Sequence, residues 1–201
     1  MQKTVYDDIE KKYNQKAIVI WFTGLSSSGK TSISCELRSR LLRSNVLAYT
    51  LDGDQVRKGL NSDLDFSRKG RQENIRRIGE VAKLFVDAGF MICVAAISPF
   101  QRDRNHVRGI FSPGQFIEIY LECPLEECER RDVKGLYKRA RNGETLDFTG
   151  ISSPYEPPIS PEIHLKTDIH DPQKCTDQII NYLNANQHVL DNYQPVQKDQ
   201  S

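Results

Sequence analysis

The chain predicts an α/β fold, a doubly wound, mainly parallel five-stranded sheet flanked by helices and carrying one lid loop. Three observations lead there. Short, nearly continuous apolar runs alternate with longer stretches of helical period, a glycine-bounded loop joins the first run to the first helix, and one late segment follows neither period.

The apolar runs fall at residues 17–23, 46–51, 90–97 and 116–121, with a final short strand at 164–167. Each of the four runs is short and nearly continuously apolar, as fits a strand buried on both faces of a parallel sheet. Between them the sequence predicts helices over 31–42, 71–88 and 172–184. The second places Ile75, Ile78, Val81, Ala82 and Phe85 on one stripe and is closed by Gly89. Alternating β and α elements put ligands at the carboxyl ends of the strands. The aperiodic segment, residues 135–161, contains Pro154, Pro157, Pro158 and Pro161. A stretch of this length inside a compact domain reads as a lid or binding loop, with Phe148 and Tyr155 as functional side chains. Residues 1–16 read as a polar N-terminal extension, 17–189 as one domain, and 190–201 as a disordered tail.

At 201 residues the chain suits one domain. Lys and Arg total 28 against 27 for Asp and Glu, so no basic field is available to hold a nucleic-acid backbone, and any anion must be gripped locally. The start has no apolar leader and no run is long enough to span a bilayer, so the expected location is cytoplasmic, with no membrane partner. Five cysteines without Cys-x-x-Cys or histidine at zinc spacing read as incidental thiols.

Residues 24–31, Gly-Leu-Ser-Ser-Ser-Gly-Lys-Thr, match G-x-x-x-x-G-K-[ST] between a predicted strand and a predicted helix. Such a loop turns backbone N–H groups toward phosphate oxygens at a helix N-terminus. Nucleotide contacts are expected along Gly24, Ser27, Ser28, Gly29, Lys30, Thr31 and Ser32. Lys30 should act on the β- and γ-phosphates of ATP and Thr31 on Mg²⁺. The fold is then that of a P-loop NTPase of the nucleotide-kinase type. The second run ends in Asp52-Gly53-Asp54, followed by Arg57. If the first two strands are neighbours, these carboxylates lie beside the loop. One can position Mg²⁺ through water and the other can take a proton from an attacking hydroxyl. A solvated turn is the alternative. No Asn-Lys-x-Asp base-reading motif is present, which favours a kinase over a GTPase. Arg71 and Asn74 share a helix face suited to an oxyanion and a ribose or base edge, unless they are surface arginine pairings of the ordinary kind. Ser98 before Pro99 fits a helix N-cap that also faces the cleft.

Taken together, the stretches GLSSSGKTS, LDGDQVRKGLN, FSRKGRQENIRRIGEVAKLFVDAG, ISPF, RDVKGLYKRARNGE and FTGISSPYEPP resemble the adenylyl-sulfate kinase family over about residues 18–183. The resemblance implies ATP and Mg²⁺ as cofactors, with adenosine 5′-phosphosulfate phosphorylated on its ribose 3′-hydroxyl by a homodimeric enzyme. It implies a nucleoside gripped by Phe66 and Phe148, and a phosphosulfate met by Arg57, Arg71 and Asn74 and by the backbone at Ile97 and Ser98. Lys134 joins that group, Asp54 is the activating carboxylate, and Asp52 and Thr31 serve the metal. The ATP adenine is expected near His170 and Cys175. In some bacterial relatives the serine matching Ser98 is a phosphorylated residue, but Asp54 favours direct transfer. Three positions depart from the family, with Ser27, Asp65 and Asp147 standing where glycine is common. The extra carboxylates should weaken binding of an anionic substrate. Two other readings stay open: a P-loop kinase acting on a sugar-acid or drug hydroxyl, and a nucleotide-binding regulatory module without turnover.

Overall fold

The computed structural model describes residues 15–188. The expected extension therefore lies outside the described residues except at Gln15 and Lys16, and the expected tail lies wholly outside them. Gln15 is part of the fold. Its side-chain amide donates to Gly89 O at 3.0 Å and its carbonyl accepts from Leu47 N at 2.6 Å, so it bridges the entries to two strands.

The elements run β1 (Val19–Thr23), α1 (Lys30–Arg43), β2 (Ala48–Asp52), α2 (Gly53–Lys58), α3 (Arg68–Asp87), β3 (Met91–Ala95), α4 (Gln101–Arg108), β4 (Phe116–Glu122), α5 (Leu125–Arg131), α6 (Leu136–Arg141), β5 (Ile163–Lys166) and α7 (Pro172–Ala185). All four strand pairings are parallel and the sheet order is β2-β3-β1-β4-β5. The first two strands, whose adjacency the sequence left open, are therefore not neighbours. Strand β3 sits between them, and the crevice opens where the order reverses beside β1, the usual ligand position in such sheets.

Alternation along β1 divides the core. Ile18, Ile20 and Phe22 pack with Leu37 and Leu41 of α1 and Ile179 and Leu183 of α7. Val19 and Trp21 pack with Ile75, Ile78 and Ala82 of α3 and Val107 of α4. One strand thus feeds two helical layers, which is why it carries no polar face.

Caps set the helix ends. The Ser67 hydroxyl accepts from Gly70 N and starts α3. That helix ends in a Schellman motif, with Phe90 N donating to Phe85 O and Gly89, at φ 88°, donating to Val86 O. Asp171 caps α7 with Pro172 in its first turn.

Two expectations change. Residues 135–161 are not wholly aperiodic, because α6 forms within them and its Tyr137 is buried. Ser98 is not an N-cap: α4 begins at Gln101 behind Phe100, and no side chain caps it.

Candidate active site

The phosphate loop is held by three positions of positive φ, Gly24, Ser27 and Gly29. Gly24 has φ 152°, and a Cβ there would lie 2.7 Å from Leu121 O, so only glycine fits. Ser27, within the run of three serines, takes a left-handed φ of 59°. Gly29 is the N-cap of α1, whose first turn has no side-chain cap, leaving its N–H groups directed at the loop mouth. Ser28 is buried, while Thr31 and Ser32 face solvent.

Lys30 folds into this cradle. Its Nζ donates to Gly24 O at 3.0 Å and to Leu25 O, with Ser28 Oγ at 3.5 Å. Burial pushes the ammonium down to about 8, against the opposing pull of Asp54 and Asp52. A desolvated cation that carboxylates only partly stabilise is well suited to a dense anionic ligand.

Asp52 links the loop to the second strand. Its Oδ1 accepts from Asp54 N at 2.9 Å and Gln55 N at 3.3 Å, capping α2, and its Oδ2 accepts the Thr31 hydroxyl proton at 2.7 Å. The pair supplies hard oxygen donors at the end of the loop, which is the chemistry Mg²⁺ requires. The residues fit the ion. Asp54 is exposed and forms an ion pair with Lys134, whose amino group is held above its ordinary range by that carboxylate. Both act electrostatically on Lys30, so the four residues share one field.

The acceptor side gathers around Phe66, which is 55% exposed. The Arg57 guanidinium lies 4.4 Å above its ring and that of Arg71 lies 5.8 Å away. Arg57 donates to Leu64 O and Asp65 O. Arg71 donates to Phe66 O at 2.8 Å, to Thr149 Oγ1 at 2.8 Å and to Asp147 O, tying the lid to the start of α3. Both guanidinia are held below their ordinary range, chiefly by burial, and Arg57 further disfavours the charge on Arg71. Among the described residues neither makes a carboxylate ion pair within contact distance. Asn74 is buried and its Oδ1 accepts from Asn61 Nδ2 at 3.0 Å. Arg76 and Arg77, by contrast, are ordinary surface arginines paired with Glu73 and, for Arg77, Asp63.

Several expected residues sit differently from the sequence reading. Phe148 is not an uncovered aromatic. It is 8% exposed and packs edge-on against Tyr137, 4.9 Å between centroids, in a small cluster with Cys123, Cys128 and Ala140. Without α6 in view, nothing in the sequence supplied those neighbours. Cys175 belongs to the main core, and its thiol donates to His170 O, so it presents no side chain to a base. His170 follows β5 and is itself half-buried on the otherwise exposed loop of residues 168–171 before α7. The Ser98 hydroxyl is buried, accepting from Trp21 Nε1 at 3.0 Å and donating toward Ala96 O. Ser98 also takes a left-handed φ of 42°. The carbonyl of Ile97 accepts from Thr23 Oγ1 at 2.7 Å. The exposed carboxylate of Asp65 turns back on its own chain, accepting from Ser67 N and Oγ, so it serves the entry to α3 and is held below the usual carboxylate range by the Ser67 hydroxyl.

Sequence reasoning missed four residues that shape the site. Thr23 joins Ile97 to the lid, since Tyr155 Oη lies 2.9 Å from its hydroxyl. Tyr137 donates from its hydroxyl to Ser26 O at 3.0 Å. Leu25 packs against Gly150 and Leu125, and Trp21 holds Ser98. A lone tryptophan in a buried strand was the available signal, because its N–H must find an acceptor. A cavity of about 510 Å³ lies between Leu25, Tyr120 and the lid, and Tyr155 lines it, whereas Lys30, Asp54, Phe66 and Arg71 do not.

The arrangement has one cation and a helix N-terminus on the loop side, and two guanidinia with an aromatic face on the other. Two carboxylates lie between them. The profile of the family described as Adenylylsulphate kinase matches residues 16–166. A probable adenylyl-sulfate kinase of Halalkalibacterium halodurans is 52% identical over 179 residues, covering 89% of each chain. An adenylyl-sulfate kinase of Clostridium acetobutylicum is 53% identical over 174 residues, covering 87% of this chain and 86% of that one. The solved Mycobacterium tuberculosis APS kinase in complex with AMPPNP and APS superposes with a TM-score of 0.81 at 42% identity, over 85% of this chain and 99% of that one.

Proposed function

This chain belongs to the adenylyl-sulfate kinase family, and we infer that it transfers the γ-phosphoryl group of ATP to the ribose 3′-hydroxyl of adenosine 5′-phosphosulfate, releasing 3′-phosphoadenylyl sulfate and ADP. The observation that carries the reading is the Phe66 site. Two guanidinia that make no carboxylate ion pair among the described residues flank one exposed ring, which suits a nucleotide with a flat base and a doubly anionic phosphosulfate. A sugar acid or a drug hydroxyl needs neither the ring nor the second arginine.

The division of labour follows from position. Lys30 and the N–H groups at the start of α1 hold the ATP phosphates and stabilise charge on the phosphoryl group in flight. Thr31 and Asp52 would hold Mg²⁺, which when bound would draw charge from the β- and γ-oxygens. Asp54 takes the proton of the 3′-hydroxyl, and its ion pair with Lys134 orients it for that task. Arg57, Arg71 and Asn74 receive the phosphosulfate side, with Ile97 and Ser98 contributing backbone. Ser98 acts through its main chain and not as a phosphoryl acceptor, because its hydroxyl is engaged beneath Trp21. The base of ATP rests near the loop that begins at His170.

The reading extends to a homodimer in the cytoplasm, to be checked by light scattering and by localisation of a tagged chain. Among the described residues no helix is long and apolar enough to cross a membrane. The function is tested by incubating the protein with ATP, Mg²⁺ and a panel of hydroxyl acceptors and weighing the products. Adenylyl sulfate should be the preferred acceptor by orders of magnitude. Preference for a sugar acid or a drug hydroxyl would replace this reading, and absence of any turnover would favour a regulatory module.

A further inference from the structure

Arg104, on α4, is 1% exposed and reaches three other parts of the fold as well as its own helix. One guanidinium nitrogen donates to Ser98 O at 2.7 Å, the other to Glu156 O and to Gln101 Oε1, each at 2.7 Å. Its Nε stands 2.8 Å from Glu118 Oε1 on β4 as an ion pair, though not aligned as a hydrogen bond. Glu118 also meets Arg108, which is paired in turn with Glu162, so the charge is balanced within the protein. Only a planar fork with several fixed donors satisfies acceptors in these directions together, and lysine cannot.

The parts it joins matter. Residues 97–99 turn through the left-handed Ser98, and each carbonyl of the turn is taken: Ile97 O by Thr23, Ser98 O by Arg104, and Pro99 O by Glu156 N at 2.8 Å. Among the described residues the N–H groups of Ile97 and Ser98 donate to no protein acceptor. Glu156 closes the far end of the lid, and its carboxylate accepts from Gln101 N at 2.7 Å. Tyr155, beside it, bonds Thr23 and has the Arg104 guanidinium 5.9 Å from its ring.

We infer that Arg104 is a positioning residue for the acceptor nucleotide, locking the turn at residues 97–99 and the end of the lid into one register so that the Ile97 and Ser98 N–H groups are presented to the phosphosulfate. The inference rests on adenylyl sulfate being the acceptor. It places Arg104 behind the site, in contact with the residues that meet the substrate and not with the substrate itself.

Arg104→Lys keeps a cation facing Glu118 but loses the fork. It should raise KM for adenylyl sulfate about tenfold or more, the scale of one charged hydrogen bond, and leave KM for ATP within about twofold. The paired change Arg104→Gln with Glu118→Gln removes both charges without stranding either, and should give the same split. Wild-type KM values for both substrates in the folded variants, or equal rises in both, would overturn the inference. Hydrogen exchange on the unmodified protein gives a second test. Adenylyl sulfate should slow exchange at residues 97–98 and 155–156 by similar factors, and protection at one segment alone would overturn the coupling. If the wild-type protein fails to phosphorylate adenylyl sulfate at all, the functional reading falls first. In that case, faster exchange of both segments in Arg104→Lys supports the locking role, and faster exchange of only one or neither overturns it.

Discussion

The Thr31 hydroxyl donates to Asp52 Oδ2 across 2.7 Å, joining the first turn of α1 to the end of β2 although β3 separates β2 from β1. Because Asp52 Oδ1 simultaneously caps α2, the carboxylate is fixed from both sides and offers its oxygens in one orientation. Thr31→Ala should lower turnover and recover part of it at high Mg²⁺. Asp52→Asn keeps the cap and should show the same Mg²⁺ dependence. A magnesium titration decides, and equal defects at all concentrations would exclude the metal role.

Lys30 is charged below about pH 8 and loses its proton as pH rises through that value. The free-enzyme profile, kcat/KM for ATP, should therefore fall on the alkaline side with a midpoint near 8, while the ATP-bound profile moves higher as phosphate favours the ammonium. The unfolded lysine titrates near 10.5, so the folded state gains stability between 8 and 10.5 and carries the cost of the buried charge below 8. At neutral pH that cost is about 3 kcal/mol. Lys30→Met should lose about 10² to 10³ in turnover yet melt no lower than the parent. A Tm drop above about 5 °C would mean that the lysine stabilises the loop.

Asp54→Asn should lower kcat by about 10² to 10⁴ with ATP binding little changed. Lys134→Ala leaves Asp54 without its ion-pair partner and should give a smaller loss that depends on ionic strength. Steady-state kinetics at two salt concentrations check both. A larger effect on KM for ATP than on kcat at Asp54 would remove it as the base.

Two of the family departures fall where the backbone is left-handed: Ser27 at φ 59° and Asp147 at φ 55°. A side chain there costs about 1 kcal/mol relative to glycine. Ser27→Gly and Asp147→Gly should each raise Tm by roughly 2–4 °C. Lowered melting temperatures would show that the side chains make compensating contacts. Asp65, the third departure, sits at no such position, so its glycine variant should remove the Ser67 contact without a gain in stability.

Much of this was legible before any coordinates. Nearly continuous apolar runs marked the inner strands β1, β3 and β4, where burial on both faces leaves little alternation to read, whereas the edge strand β5 alternates buried Ile163 and Leu165 with exposed His164 and Lys166. The phosphate loop was plain because two glycines and a Lys-Thr pair lie between a strand and a helix. The short helices α2, α5 and α6 were not found, since six or seven residues hold too few turns for a period to show. Missing α6 hid the packing of Phe148, and with it the distinction between that ring and Phe66. The strand order was also beyond the sequence, because β2 and β3 look alike and nothing local says which lies beside β1. Arg104 escaped notice because a buried arginine and a surface one have the same letter, and only its acceptors, at residues 98 and 156, tell them apart.

The central claim is that the acceptor base rests on Phe66 beneath the lid, apart from the ATP site. Phe66 is exposed and Phe148 buried, so the two alanine variants should differ. Phe148→Ala should lose about 3–5 kcal/mol of local packing as well as acceptor affinity. Phe66→Ala should leave Tm nearly unchanged and raise KM for adenylyl sulfate by about 5- to 150-fold, the scale of one stacked base, with KM for ATP unmoved. The direct measurement is steady-state kinetics of Phe66→Ala with the two substrates varied separately. A rise confined to adenylyl sulfate is the predicted result, and an unchanged KM for adenylyl sulfate would contradict the account.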